Sequence, residues 1–211
     1  MQPVIGVLAL QGDFREHLAA LARLGVEGRE IRLPSELAGI SGLIIPGGES
    51  TTIGRLIERF GLREPIVEFA RSGRPIWGTC AGMIVLAREV DPETRARTQH
   101  LLGLLDIVVR RNAFGPQIES FETDLEIPAV GSEPVRAVFI RAPVVAEMGP
   151  AVEPLARLTD GTVAAVRQGN LIGTAFHPEL TGDDRFHAWF CRLAREHSPA
   201  VQLEPATRGA R

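Results

Sequence analysis

The sequence predicts an α/β fold: a doubly wound, mostly parallel sheet with helices on both faces. Three observations carry this. Short continuous apolar runs, each followed by a stretch with helical spacing, alternate through the first 90 residues. The runs lack the apolar–polar alternation of a half-exposed strand, so they read as strands buried on both faces. No linker composition interrupts the chain, so the β-rich second half is expected to add antiparallel strands to the same core.

Val4-Ile5-Gly6-Val7-Leu8-Ala9-Leu10 is the first such run. Gln11-Gly12-Asp13 breaks it, and Asp13 stands where it can cap a following helix. Phe14, Leu18, Leu21 and Leu24 then recur at helical spacing, and Gly25 ends the helix. Glu30–Leu33 is expected as a short second strand and Gly42–Ile45 as a third, running into Pro46-Gly47-Gly48-Glu49-Ser50. Helical patterns follow at Thr51–Phe60 and Arg63–Arg71. A strand beginning at Pro75 meets Gly78-Thr79-Cys80-Ala81-Gly82 and continues into a helix-forming run, Met83–Arg88.

From Leu105 to Phe176 short β-like runs dominate: Ile107–Arg110, Val135–Ile140, Val163–Val166 and Leu171–Ala175. A last helix is predicted over Asp183–His197, with Phe186, Trp189, Phe190 and Leu193 on one face. Its His187 and Cys191 read as packing or surface residues. Residues 1–197 are expected to form one domain, and residues 198–211 a flexible tail.

Composition narrows the function. Hydrophobic residues at 45% and charged residues at 23% describe an ordinary soluble protein. A net charge of −3 gives no electrostatic case for nucleic acid or for an anionic membrane. No stretch approaches the ~18 uninterrupted apolar residues of a membrane span, and Met1–Gly12 lacks a secretory pattern. Two cysteines, Cys80 and Cys191, make no disulfide framework, so a reducing, cytoplasmic setting is expected. With so few cysteines and only five histidines, no metal site is expected. The chain contains no lysine, which excludes lysine imines and a Walker-type phosphate lysine from its chemistry.

Three short segments carry candidate chemistry. Gly-x-Cys-x-Gly puts Cys80 on a sharp strand-to-helix turn, where small residues two places either side relieve crowding. The start of a helix there favours an anionic sulfur through unpaired N–H groups and the helix dipole. Phe176-His177-Pro178-Glu179 follows directly on an apolar strand, at the end where active sites of open α/β sheets collect. Proline holds His177 extended. In extended chain, residues two apart lie roughly 7 Å from each other and point the same way, so Glu179 can fold back onto one imidazole nitrogen. Together these residues make a Cys–His–Glu triad, with Cys80 as nucleophile, His177 as acid and base and Glu179 as its orienter. Pro46-Gly47-Gly48 supplies unencumbered backbone N–H groups. A tetrahedral intermediate needs two donors: the Ala81 N–H is one candidate, and an N–H of Gly47 or Gly48 the other.

These segments resemble those of the class I glutamine amidotransferases. The resemblance narrows with Leu8-Ala9-Leu10-Gln11-Gly12-Asp13-Phe14-Arg15-Glu16-His17, Pro46-Gly47-Gly48-Glu49-Ser50-Thr51-Thr52, Arg111-Asn112-Ala113-Phe114-Gly115 and Phe139-Ile140-Arg141-Ala142-Pro143. That combination is similar to the glutaminase subunits of pyridoxal 5′-phosphate synthase. The resemblance implies a three-layer, flavodoxin-like fold and hydrolysis of L-glutamine through a thioester, with no cofactor. It further implies a glutamine-binding set of Gly47, Gly48, Glu49, Arg111, Ile140 and Arg141. A pocket for a free amino acid wants a fixed cation and a carboxylate or carbonyl, so Arg111 suits the α-carboxylate and Glu49 the α-ammonium. Ammonia would pass to a separate synthase subunit of the PdxS family, in a large ring of twelve and twelve, with Gln11–His17 and the glycine loop as docking surface. The missing lysine agrees, because the imine chemistry of that synthesis must then lie on another chain. A cysteine peptidase on the same scaffold, or a regulatory protein without chemistry, are the competing readings.

Overall fold

The computed structural model describes residues 2–92, 99–111 and 120–197. Residues 112–115 of the Arg111 motif and the expected tail lie outside them. Strand β1 (Val4–Leu8) leads to helix α1 (Phe14–Arg23), then β2 (Glu27–Ile31) and β3 (Gly42–Ile45). Helices α2 (Ser50–Arg59) and α3 (Arg63–Arg71) precede β4 (Ile76–Thr79), which turns directly into α4 (Ala81–Leu86). Eight strands follow: β5 (Ala87–Val90), β6 (Leu105–Arg110), β7 (Ser120–Leu125), β8 (Val135–Ile140), β9 (Val144–Met148), β10 (Glu153–Arg157), β11 (Val163–Gln168) and β12 (Leu171–Thr174). Helix α5 (Arg185–Glu196) closes the described chain.

The central sheet runs β10-β11-β12-β4-β3-β1-β2. Its strands β2, β1, β3, β4 and β12 are parallel, in the doubly wound order of flavodoxin-like sheets. Strands β11 and β10 extend it antiparallel. The second half shares the one hydrophobic core as expected, but not all of its strands extend the central sheet: β5-β6-β9 and β7-β8 form two small sheets of their own. β5 begins where the sequence pattern continues the helix, and α4 stops at Leu86. β2 begins at Glu27, three residues before the predicted start, because Val4–Leu8 supplies five consecutive backbone partners to this polar edge strand.

Adjacent residues of β4 show how both sheet faces are covered, since neighbours on a strand point to opposite sides. Trp77 packs against α1 and α5, its ring centroid 5.5 Å from His17, 4.7 Å from Phe186 and 5.6 Å from Phe190. Gly78 faces the other way, and a Cβ there would lie 2.5 Å from the Gly82 carbonyl of α4. Gly82 presses in turn on β3: its Cβ would stand 2.0 Å from the Ile45 carbonyl oxygen. Both opposing groups are backbone and cannot rotate away. Gly82→Ala is therefore expected to destabilise by ~3 kcal/mol or more, the upper end for overpacking. Thermal unfolding should show a midpoint lower by roughly 6–12 °C; an unchanged midpoint would mean that α4 does not sit this close to β3.

Candidate functional site

Because β1, β3, β4 and β12 are parallel, their carboxyl ends lie on one edge of the sheet. The segments leaving them, 9–13, 46–49, 79–81 and 175–179, converge there around a cavity of about 380 Å³. Asp13, Gly48, Glu49, Cys80, Ala81, Arg111, Ile140, Arg141 and His177 all line it. Of the residues predicted for the site, Gly47 and Glu179 stand just behind that lining.

Cys80 sits at the turn from β4 into α4 with φ 46° and ψ −102°. A non-glycine residue with such a backbone is strained, and the surrounding structure must hold it. Its N–H donates to the Thr174 carbonyl at 2.7 Å, tying the turn to β12. The sulfur lies 3.9 Å from the Ile140 carbonyl, and 8% of the residue is exposed. Arg141, across the cavity, has φ 44°; these two are the only non-glycine residues with positive φ among the described residues.

The His177 N–H donates to the Val138 carbonyl at 2.8 Å, so the residue leaves β12 anchored to β8. Its Nδ1 is 2.8 Å from Glu179 Oε1, which leaves Nε2 as the ring nitrogen outside that bond. Glu179 reaches that nitrogen through a 3₁₀ turn, Pro178–Leu180, and not along the extended chain that the sequence suggests. Burial pushes His177 down, but hydrogen bonding and charge pairing with Cys80 and Glu179 outweigh it and raise the imidazole to about 10. Burial holds the Glu179 carboxyl above its ordinary range against the pull of His177.

Asp13 departs from its expected role. It stands at the N-cap of α1 but makes no side-chain capping bond there. Its Oδ2 lies 3.7 Å from His177 Nδ1, and burial raises its carboxyl. Asp13, His177 and Glu179 thus bring one donor atom each within 4.8 Å, a grouping that the His177–Glu179 bond accounts for.

The glycine loop is pinned from two sides. The Gly47 carbonyl accepts the Asp13 N–H at 3.1 Å, and the Glu49 N–H donates to Gln11 Oε1 at 2.8 Å. In a trans peptide the Gly48 N–H points opposite to the Gly47 carbonyl, hence away from the Asp13 N–H. Gly48 has φ 146°. A Cβ on Gly47 would come 2.3 Å from His177 Cε1, so only glycine lets the loop lie against the imidazole.

Glu49 caps α2: its carboxylate accepts from the Thr51 N–H at 3.2 Å, the Thr52 N–H at 2.7 Å and the Thr51 hydroxyl. Burial opposes the charge, but these bonds pull the carboxyl down to about 2. Arg111 Nη2 is 3.4 Å from Glu49 Oε1, while its Nη1 is buried without a partner among the described residues. The side chain is 18% exposed and lines the cavity, so its charge stands beside the space that an anionic ligand would fill.

One expectation changes for a single residue of the docking segment, and another narrows to packing. His17 has no exposed surface and cannot belong to a docking face, although Arg15 and Glu16 beside it are exposed. Both His187 and Cys191 are buried in α5; burial pushes the Cys191 thiol up to about 11, as an inert core cysteine requires. Sequence reasoning misses the placement of Asp13 beside His177 and the bond from Gln11. No helix among the described residues is long and apolar enough to cross a membrane.

A sequence model of the SNO glutamine amidotransferase family matches residues 7–196. The chain is 59% identical over 189 residues to the pyridoxal 5′-phosphate synthase subunit PdxT of Herpetosiphon aurantiacus, covering 90% of this chain and 99% of that one. It is 58% identical over 186 residues to the protein of the same name from Carboxydothermus hydrogenoformans, covering 88% and 95%. A crystal structure of a glutamine amidotransferase superposes with a TM-score of 0.85 at 49% identity, covering 90% of this chain and 98% of that one. The structure of PurLQS from Thermotoga maritima, 19% identical with a TM-score of 0.63 over 93% and 97% of the two chains, shares the fold alone.

Proposed function

The chain belongs to the SNO glutamine amidotransferase family, and from that premise we propose how its residues divide the work of glutamine hydrolysis. It is a glutaminase subunit of pyridoxal 5′-phosphate synthase, releasing ammonia from L-glutamine for the synthase subunit that builds the cofactor. The observation that carries the assignment of roles is that Cys80 and His177 line one cavity while His177 Nδ1 meets Glu179 Oε1 at 2.8 Å, with the imidazole raised to about 10.

At neutral pH that imidazole holds its proton. The Cys80 sulfur attacks the side-chain amide carbon of glutamine, forming a C–S bond and placing charge on the amide oxygen. The Ala81 N–H, unpaired at the start of α4, and the Gly48 N–H receive that oxygen. His177 gives its Nε2 proton to the departing nitrogen, the C–N bond breaks, and ammonia leaves a thioester. Water then adds to the thioester as His177 takes its proton. The second intermediate collapses, expelling the sulfur and releasing glutamate. Glu179 keeps the Nδ1 proton in place throughout, so the same nitrogen faces the sulfur and the leaving group.

The rest of the cavity holds the free amino acid. Arg111 takes the α-carboxylate, and Glu49, anionic at any working pH, takes the α-ammonium. Ile140 and Arg141 form the facing wall and Gly47 gives clearance. The chain has no lysine, so imine chemistry belongs to a synthase partner of the PdxS family. We place the two in a ring-shaped complex of equal numbers, in the cytoplasm, where the two free cysteines stay reduced.

Ammonia release from L-glutamine, measured with the synthase partner present, tests this reading. Arg111→Met is expected to raise KM for glutamine ~10–100-fold with kcat little changed, the value of a charge-assisted bond. No turnover by the unaltered chain, or an unchanged KM in the variant, would reject the triad or the carboxylate assignment respectively.

A further inference from the structure

We propose that His17 is a positioning residue for the triad: one imidazole N–H that clamps Glu179 and Thr79 together from behind, with its tautomer set by His187. This rests on the triad reading above. His17 lies in α1, fully buried, with its ring meeting three other segments. Its Nε2 is 3.2 Å from Thr79 Oγ1 on β4 and 3.5 Å from Glu179 Oε1 on the turn after β12. Its Nδ1 is 2.9 Å from His187 Nε2 on α5. Trp77 meets the ring edge-on at 5.5 Å and 83°.

Two imidazoles at that distance can share a hydrogen bond in two ways, and the surroundings choose one. If His17 Nδ1 donated, its Nε2 would turn a bare lone pair toward the Glu179 carboxylate. His187 would then carry its proton on Nδ1, a buried nitrogen with no partner among the described residues. A buried, unpaired N–H loses its hydration with no return. In the other arrangement His187 Nε2–H donates to His17 Nδ1, and His17 Nε2–H is directed at Thr79 Oγ1 and Glu179 Oε1. Only this one puts a hydrogen between ring and carboxylate.

Both rings stay neutral, as this requires. Burial pushes His17 well below its ordinary value, and the charges of His187 and His177 push the same way. Burial takes His187 down to about 4, with Asp184 opposing and Arg23 assisting. The titratable groups facing His17 are thus His187 from α5 and Glu179 and His177 from the turn after β12, with Asp13 on the far side of His177.

The geometry gives the clamp a purpose. Thr79 immediately precedes the nucleophile, and Glu179 holds the imidazole that must meet it. A single ring hydrogen-bonded to Thr79 and 3.5 Å from Glu179 fixes the separation of sulfur and base without touching substrate. Its N–H also supports charge on Glu179 in a site where burial opposes that charge.

The test uses the full chain with its synthase partner. Imidazole ¹⁵N resonances should show His17 and His187 both protonated on Nε2 at neutral pH; a proton on His17 Nδ1 would overturn the proposal. His17→Leu should lower kcat ~10–100-fold, the usual cost of losing a group that orients a reacting one, with KM for glutamine unchanged. The alkaline limb of kcat should move to lower pH, because a Glu179 free to turn away from Nδ1 no longer stabilises the His177 imidazolium. His17→Gln, whose amide can present an N–H near the same place, should recover most of both losses. A folded His17→Leu with unchanged kcat and limb, or a His17→Gln equally impaired with the limb unmoved, would sink the idea. Should the leucine variant not fold, the tautomer and the glutamine variant still decide it. Failure of the triad reading would look different: the unaltered chain would release no ammonia whatever tautomer its histidines adopt.

Discussion

Cys80→Ala is expected to lower glutamine turnover by ~10⁴-fold or more, the scale on which removal of a covalent nucleophile acts. The variant is a clean test because the strain at this position is one of backbone and not of side chain. Alanine at φ 46° carries the same Cβ penalty as cysteine, so folding should be nearly unaffected. Arg111, Glu49 and the glycine loop remain, so binding of glutamine, followed by calorimetry, should persist while ammonia release ends. Undiminished ammonia release would reject a thioester route outright. Loss of binding together with turnover would show instead that the pocket depends on the thiol for its shape.

Glu179→Gln should cost ~10³–10⁴-fold in kcat by the reasoning that applies to any buried carboxylate orienting a catalytic imidazole. The amide can turn an N–H toward His177 Nδ1, which then must accept, leaving the proton on the nitrogen that faces the sulfur. The pH profile should change with a definite sign. In the unaltered chain His177 is held up to about 10 in part by Glu179, so the acid needed for ammonia departure is lost only in that range. Without the carboxylate, burial pushes the imidazole down unopposed on that side, and the alkaline limb moves toward neutrality. A profile that does not move would place the proton elsewhere than on His177.

How much of this is legible in the chain depends on whether the signal is local. Gly42–Ile45 and Val135–Ile140 coincide with β3 and β8, and Arg63–Arg71 with α3, because continuous apolar runs and helical spacing are read within a few residues. Ser120–Leu125 escapes notice: it alternates Phe, Thr and Leu with Ser, Glu and Asp, and acquires its strand form only by pairing along its whole length with β8. Ala87 and Arg88 read as more helix because alanine and arginine favour one, yet pairing of Ala87–Val90 with β6 overrides that preference. In the site, Cys80 and His177 stand at strand ends between recognisable punctuation, so position alone suggests them. Asp13 reads as a cap because capping is judged from sequence neighbours, whereas its carboxylate turns toward His177. The bond between His17 and His187 joins residues 170 apart, and nothing near either one announces the other.

The positive backbone angles at Cys80 and Arg141 have a consequence for how this molecule can evolve. Selection for endurance alone would favour glycine at both places, since only glycine accepts that conformation without penalty. Keeping side chains there means that the fold carries the cost of that backbone at both positions. Hardier variants gained by relaxing either residue would be slower ones, and the useful room for improvement lies away from the cleft.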